Sequence, residues 1–243
     1  MLPIFLKEIN TFFSSLIGYI VMSVFLIMMG LVLFVFPDTN MLDYQYASLD
    51  QFFGIAPLIF LFLIPALTMR SFSEEYQQGT IELLSTKPVS LWGIALGKYF
   101  ACLLLVTFTL IPTILYYYTV YELGAPKGNL DAGAIAGSYI GLFFLAAVFT
   151  AIGLFASSLS SNQITGFVLA TFLCFLLYYG FFYFSKLPFF IGKGDDIVEK
   201  LGIDFHYSSI SRGVLDSRDL VYFLSMIALF LVATFFVLEK RKK

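Results

Sequence analysis

The sequence predicts an all-α, polytopic membrane protein with six membrane-spanning helices, and two observations lead to this fold class. The chain of 243 residues is 60% hydrophobic and only 12% charged, whereas soluble domains average about 25% charged residues. Its ionisable residues are also separated by long apolar gaps. A gap of about 20 residues is long enough for a helix to cross a bilayer.

Five charge-free gaps locate the spans: 9–37, 51–69, 99–121, 132–185 and 220–238. The gap 132–185 would form a helix of about 80 Å, more than twice the hydrocarbon core of about 30 Å. It must therefore fold back, and the polar residues from Ser157 to Gln163 mark the turn. We predict a single domain, 1–243, with spans near 15–36, 52–69, 99–121, 134–156, 164–185 and 220–238. The apolar runs do not alternate with a period of two, which excludes a transmembrane barrel.

An even number of spans places both termini on one side of the membrane. The first loop on the other side, 37–51, contains no Lys or Arg, whereas the terminal side carries Lys7, Arg70 and the basic tail 240–243. Cytoplasmic loops are enriched in Lys and Arg. We therefore expect both termini in the cytoplasm and the protein in the cytoplasmic (inner) membrane. The tail either anchors to anionic lipid headgroups or is simply solvated.

The predicted spans contain no Asp, Glu, Lys, Arg or His. Such residues mark ion pathways and proton relays, so an ion-coupled transporter, a channel or an intramembrane enzyme is disfavoured. The net charge of −2 provides no basic field for nucleic acid. His206 is the only histidine. Without partners of its own kind it cannot assemble a metal site, so we predict an ordinary loop residue.

The stretch from Gly93 to Lys98 resembles a phosphate-binding loop but has the wrong glycine spacing, and Tyr99 stands where a Ser or Thr is needed. We therefore expect no catalytic residue, metal site or cofactor in this chain, and no enzyme activity. Glycines spaced four residues apart suit close helix packing instead. They are Gly93 and Gly97 in one group, and Gly133, Gly137 and Gly141 in the other.

The segment 70–90 is the longest polar stretch on the terminal side. Ser73 is predicted to cap a short helix with acidic residues in its first turn, and Gly79 to end it. Thr80 then begins a second helical turn, which Pro88 stops. Its apolar face suits the docking of a soluble partner, although a helix lying on the bilayer is the alternative.

These residues resemble a motif of ABC-2 type transporter permeases. The stretches that carry the resemblance are Glu74-Glu75, Gly79–Leu84, Lys87–Ser90 and Gly97-Lys98. Lys7 and Glu8 are similar to residues of that family's amphipathic connecting helix. Three further stretches resemble the gliding-motility-associated permease family GldF of Bacteroidetes-type bacteria, namely Ser14–Ile20, Gly137–Phe144 and His206–Asp219.

The resemblance implies a permease subunit that works with a separate ABC ATPase, which binds ATP and Mg²⁺, and with a second permease or related membrane subunit. The ATPase-coupling loop would comprise Glu74, Glu75, Gly79, Thr80, Glu82, Leu83, Leu84 and Pro88. Its glutamates would pair with cations of the ATPase, its leucines would fill a groove there, and Lys7 and Glu8 would transmit the motion. Arg212, Asp216 and Arg218 would belong to an outer gate, or be plain surface charge.

A non-transporting membrane scaffold moved by a partner ATPase would share all these sequence features. The uncharged spans are compatible with lipid-linked, polysaccharide or peptide cargo, and also with none.

Overall fold

The structure, a computed structural model, describes residues 1–42, 48–80, 90–189, 192, 194–214 and 216–242. The helices of this part of the chain are α1 (Leu2–Ser14), α2 (Leu16–Phe34), α3 (Asp50–Thr68), α4 (Arg70–Gln77), α5 (Leu91–Leu110), α6 (Ile114–Leu123), α7 (Ala132–Leu159), α8 (Gln163–Phe175), α9 (Phe181–Ser185), α10 (Asp195–Glu199), α11 (Ile203–Ile210) and α12 (Ser217–Lys242). The described residues contain no strand.

Six helical stretches in the described ranges are long and apolar enough to cross a membrane. They are α2, α3 with α4, α5 to α6, α7, α8 to α9, and α12. The predicted fold class and number of spans are therefore confirmed. The helix that contains the third predicted span begins at Leu91 rather than near residue 99, and Lys98 lies inside this helix, where it is paired.

The bundle is built around α7, which contacts α3, α5, α8 and α12. Small residues make this central position possible. A side chain at Gly153 of α7 would collide with Thr68 of α3, so the two helices approach at this glycine as at a small-residue membrane contact. Bulky aromatic side chains fill the remaining space, and Phe60, Phe149 and Phe223 are fully buried.

Two of the spans are locally irregular. The third contains a 3₁₀ turn, Ile111–Thr113, between α5 and α6; Pro112 lies in it and supplies no N–H to an α-helical ladder. The fifth contains a π-helical turn, Leu176–Gly180, between α8 and α9. Such turns are rare and often occur at functional sites. This one carries Tyr178, whose ring packs 6.0 Å from that of Phe149.

Helix α1 is amphipathic and lies beside α5 rather than spanning the bundle. Its buried residues Ile4, Glu8 and Phe12 recur every four positions, which places them on one face. Together α1, α4, the first turns of α5 and the last turn of α12 form one end of the molecule, which we call the terminal end.

Helices α10 and α11 lie at the opposite end, where α11 covers α7. The backbone of Gly213, with φ of +83°, lies against Gly137, and the side chain of Ile210 lies against Gly141. Added Cβ atoms would come within 3.1 Å and 2.4 Å of these neighbours. The predicted packing role of Gly137 and Gly141 is confirmed, and the element that they accommodate is the loop before the sixth span.

Candidate functional site

The terminal end holds a buried group of ion pairs formed by Lys7, Glu8, Glu75 and Lys98, which we call the ion cluster. Lys98 extends from α5 and is only 2% exposed. Its Nζ donates to Oε1 of Glu8 at 2.8 Å and to Oε1 of Glu75 at 2.9 Å. A third hydrogen bond, of 2.6 Å, goes to the carbonyl oxygen of Ser71. An ammonium group has three donors, so Lys98 is fully satisfied by α1 and α4.

Gly97 allows α1 to reach Lys98. An added Cβ at Gly97 would lie 3.0 Å from a side-chain atom of Ile4 and 3.2 Å from the carbonyl oxygen of Met1. The predicted role of Gly97 in close packing is therefore confirmed, and α1 is the helix that it admits. In this Gly-Lys pair the glycine supplies the space and the lysine supplies the charge that holds the neighbour.

Lys7 closes the cluster from the solvent side. Its Nζ lies 3.0 Å from Oε1 of Glu75 and 3.3 Å from Oε1 of Glu8, although half of its side chain is exposed. Burial opposes the charge of Lys7, but the two carboxylates outweigh it and raise the pKa of Lys7. Burial likewise opposes the carboxylate of Glu8, yet Lys98 and Lys7 lower the pKa of Glu8. Both directions favour the ionised cluster.

The N-terminus of α4 is capped from another helix. The hydroxyl of Ser157, on α7, accepts from the backbone N–H groups of Phe72 and Ser73 at 3.0 and 3.2 Å. It donates to the carbonyl oxygen of Met69 at 2.8 Å. The prediction that Ser73 caps this helix was wrong: α4 begins at Arg70, and the Ser73 hydroxyl bonds to Ser157 instead.

The C-terminus of α4 has the predicted glycine stop. Gly79 has φ of +67°, its N–H donates to the carbonyl oxygen of Tyr76, and the N–H of Thr80 donates to that of Glu75. This pair of hydrogen bonds is a Schellman motif. It sets the direction in which the chain leaves α4 towards residues 81–89.

The sixth span reaches α4 through Arg241. The guanidinium of Arg241 lies over the ring of Tyr76, 4.2 Å from its centroid, and donates to the carbonyl oxygen of Leu159 at the end of α7. Arg241 thereby clasps α4 to α7 and α12. Within the described residues, α4 is held by α1 and α5 through the ion cluster, by α7 through Ser157 and by α12 through Arg241.

A cavity of about 430 Å³ lies between α1, α4 and α5. The ion cluster lines it, together with a bidentate pair in which Arg70 donates to Glu74 at 2.9 and 3.0 Å. Oxygen Oε2 of Glu75 is buried without a hydrogen-bond partner among the described residues. The charged side chains around this cavity are thus paired with one another, apart from this one oxygen atom.

The structure brings together six of the predicted coupling and connecting residues at the terminal end, namely Lys7, Glu8, Glu74, Glu75, Gly79 and Thr80. Both Glu74 and Glu75, expected to face cations of a partner, have cationic partners within the chain. Glu82, Leu83, Leu84 and Pro88, together with the predicted second helical turn, lie outside the described residues.

Arg212, Asp216 and Arg218 are at the opposite end. Nε of Arg212 donates to the carbonyl oxygen of Ser208 at 2.9 Å. The carboxylate of Asp216 accepts from the N–H of Arg218 at 2.9 Å. Asp216 directly precedes Ser217, the first residue of α12, so this contact has the geometry of an N-cap. Arg212 and Arg218 are both exposed. Their role as a gate stays a prediction.

Sequence reasoning missed three residues of the site: Ser157, Arg241 and the pairing of Lys98. Gly97-Lys98 belongs to the motif that resembles ABC-2 permeases, but the partners of Lys98 in α1 and α4 are distant in sequence. The sequence indicates a turn at Ser157 and a basic tail at Arg241, and neither pattern predicts a contact with α4.

The fold and the terminal end define a multi-pass membrane protein with a polar, ion-paired element at one end of its bundle. Residues 38–201 match the family model described as ABC-2 family transporter protein, and the chain belongs to this family. It is therefore a membrane permease subunit of an ABC transporter, and members of this family generally work with an ABC ATPase subunit. A search of curated proteins found no match.

Proposed function

We propose that this permease subunit couples ATP hydrolysis by a separate ATPase subunit to export or movement across the cytoplasmic membrane. The observation that carries the proposal is the ion cluster, which ties the amphipathic α1, the short α4 and the third span into one unit. A force applied near this unit reaches several spans at once. ATP and Mg²⁺ would be bound by the partner.

Helix α4 is the part best placed to receive the movement. It contains the predicted coupling residues Glu74 and Glu75, immediately precedes the others, which begin at Gly79, and is held by four other helices. Because those contacts are ion pairs, a helix cap and a cation–π contact, displacement of α4 pulls on α1, α5, α7 and α12 together. A loop joined only to its own flanking spans would move them alone.

The partner would touch the exposed rim of the terminal end. Lys7 and Gln78 offer exposed polar groups there, and Glu82, Leu83 and Leu84 are the proposed docking residues of the loop. Since Glu74 and Glu75 are already paired within the chain, we propose that they orient α4, with Glu82 left to pair with a cation of the ATPase.

We propose that both termini lie in the cytoplasm. The absence of Lys and Arg from 37–51 and the basic residues of the tail support that orientation. Lys240 and Lys242 are both exposed beside Arg241, where they suit anionic lipid headgroups.

A second permease or related membrane subunit completes the proposal. The first, fifth and sixth spans have only 28%, 22% and 22% of their most apolar windows buried within the chain. These outer spans face lipid or another membrane subunit. The resemblance of Gly137–Phe144 and His206–Asp219 to gliding-motility-associated permeases supports a role of the complex in gliding motility.

One observation favours a second candidate function, a mechanotransmitting subunit through which no cargo passes. The centre of the bundle is filled, since Phe60, Phe149 and Phe223 are completely buried. A transport path would then have to run between two subunits. A transport assay in vesicles containing the whole complex separates the two functions.

The first experiment purifies the tagged chain from its native membranes in mild detergent and measures the ATPase subunit recovered per permease. Lys7→Glu and the double variant Glu82→Lys/Leu84→Asp should lower this ratio. Lys127→Glu is the matched control, because Lys127 is similarly exposed and paired with a glutamate, Glu122, at the opposite end. It should leave the ratio unchanged.

Two outcomes contradict the proposal. One is an unchanged ratio in both terminal-end variants. The other is the lack of any ATPase with the wild-type chain, even after crosslinking in the membrane before solubilisation.

A further inference from the structure

The single histidine is enclosed at the end of the bundle opposite the ion cluster. The prediction of an ordinary loop residue was wrong, since His206 lies in α11 with 12% of its side chain exposed. Its Nδ1 is 2.6 Å from Oδ1 of Asp219, which is 8% exposed. Its Nε2 is 2.9 Å from the carbonyl oxygen of Lys200.

Both neighbours of the ring are hydrogen-bond acceptors. A carbonyl oxygen accepts only, and a neutral imidazole carries one N–H. The two contacts are therefore satisfied together only when His206 and Asp219 share two protons, either as imidazolium and carboxylate or as imidazole and carboxylic acid. If the pair loses one proton, one of the two contacts has no hydrogen atom. Lone pairs then face each other either between Nδ1 and Asp219, at 2.6 Å, or between Nε2 and the carbonyl oxygen of Lys200, at 2.9 Å.

The contacts of His206 join three elements. Lys200 belongs to the turn after α10, His206 to α11 and Asp219 to the first turn of α12. The ring of Tyr222 on α12 stacks on the imidazole at 3.9 Å between centroids, and its hydroxyl donates to the carbonyl oxygen of Leu201 at 2.7 Å. The turn between α10 and α11 is thus clipped to the start of the sixth span at two points.

The clipped segment covers the bundle. Beyond the clip, the hydroxyl of Tyr207 donates to the carbonyl oxygen of Phe53 in α3 at 2.8 Å. The hydroxyl of Ser138 in α7 donates to the carbonyl oxygen of Ser211, also at 2.8 Å. Neither contact involves a group that titrates near neutral pH. Loss of the histidine contacts would therefore loosen one side of α11 while the other stays attached.

We propose that His206 and Asp219 form a proton-operated clip that fastens the turn between α10 and α11 to the sixth span and loosens when the pair loses a proton. The clip is tight while the pair holds two protons, and it weakens as a rising pH removes one of them. It is independent of the function proposed for the terminal end.

The other ionisable groups near the clip belong to each of the elements packed there. On α10, Glu199 pairs with Lys186 at 3.5 Å. On α11, burial raises the pKa of Asp204. A hydrogen bond from Tyr178 of the fifth span lowers this pKa, and the charge of Glu199 raises it. On α12, Arg218 is exposed. Asp204 is the group most able to mimic a response of the clip, so it needs its own control.

Hydrogen–deuterium exchange of peptides covering 199–213, in the purified full-length chain, tests the proposal. Labelling times are scaled for the intrinsic pH dependence of exchange, and protection is compared at about pH 5.5 and about pH 8. We expect protection to be about tenfold lower at the higher pH, because one hydrogen bond to a charged group is lost.

Four variants identify the source of this step in protection. His206→Gln should abolish the step, and Asp219→Asn should shrink it. If His206→Gln fails to fold, Asp219→Asn carries the test. Tyr222→Phe removes the non-titrating bond to Leu201, so it should lower protection at both pH values and keep the step. Asp204→Asn should also keep it.

Equal protection of wild-type peptides at the two pH values overturns the proposal. So does a step that persists undiminished in both His206→Gln and Asp219→Asn, or one that disappears in Asp204→Asn.

Discussion

Lys98 and Glu8 form a buried ion pair across 90 residues of sequence, with Nζ and Oε1 separated by 2.8 Å. The pair joins the third span to the amphipathic α1. Since Glu75 shares the same ammonium group, Lys98 ties the third span to both α1 and α4. Removing one member of a buried pair leaves a charge without compensation, which makes the site sensitive to single substitutions.

Lys98→Met should therefore destabilise the protein strongly. The substitution keeps a long side chain but leaves Glu8 and Glu75 buried beside each other, and we expect a loss of about 3–5 kcal/mol. Lys7→Met is the matched control, because Lys7 pairs with the same carboxylates from a side chain that is 54% exposed. Its cost should be about 0–1 kcal/mol. Thermal unfolding in detergent measures both, and equal shifts in Tm would refute the special role of Lys98.

Ser157→Ala should loosen α4. The substitution removes the acceptor of two backbone N–H groups and the donor to Met69, so we expect about 1–3 kcal/mol of lost stability. Ser158→Ala is an adjacent control, since Ser158 is equally buried but bonds within its own helix, to Phe155. Hydrogen–deuterium exchange in 70–77 should rise in the first variant alone. A rise of equal size in both would show that the effect is general to this end of α7.

Arg241→Ala should release α4 from the sixth span. It removes the cation–π contact with Tyr76 and the hydrogen bond to Leu159, each worth about 1 kcal/mol. We expect faster hydrogen–deuterium exchange in 70–80, and no change in the first turns of α12, at the opposite end of the molecule. Lys242→Ala removes a neighbouring exposed cation and should leave exchange unchanged. If Lys242→Ala matched Arg241→Ala, tail charge would matter more than the specific contact.

Acid should weaken the ion cluster through Glu8. Its pKa is lowered from the ordinary value of 4.5, and a carboxyl group with a lowered folded-state pKa contributes stability above its unfolded pKa and loses that contribution as the pH falls through the folded value. We expect the Tm of the wild type to decrease below pH 4.5 and Glu8→Gln to show a shallower decrease. Glu122→Gln, at the opposite end, should retain the wild-type profile; a shallower profile there as well would argue against the assignment to Glu8.

The six spans could be predicted because membrane helices are long and apolar, a property that each segment carries by itself. The start of the third span could not. Lys98 looked like the end of an apolar gap, and only the carboxylates of Glu8 and Glu75, contributed from other helices, make its burial in α5 favourable. Local sequence predicts how apolar a segment is but not which remote charge will neutralise it.

The ends of α4 show the same division. Gly79 was predicted correctly because a left-handed C-terminal residue is a local requirement that glycine meets. The prediction of the N-terminal cap was wrong because the hydroxyls of Ser73 and Ser157 are chemically equivalent. Which of them caps α4 depends on how α3 and α7 pack. The partners of His206 lie in α12 and after α10, and the sequence around this single histidine predicts neither of them.

The position of α7 at the centre of the bundle has a consequence for biogenesis. Chains are synthesised from the N-terminus, so α1 to α5 leave the ribosome before the helix around which they pack. The residues that neutralise Lys98 all precede it in the sequence. Glu8 and Glu75 have therefore already been synthesised when Lys98 enters the membrane. The first three spans can pair with one another before α7 is made and completes the bundle.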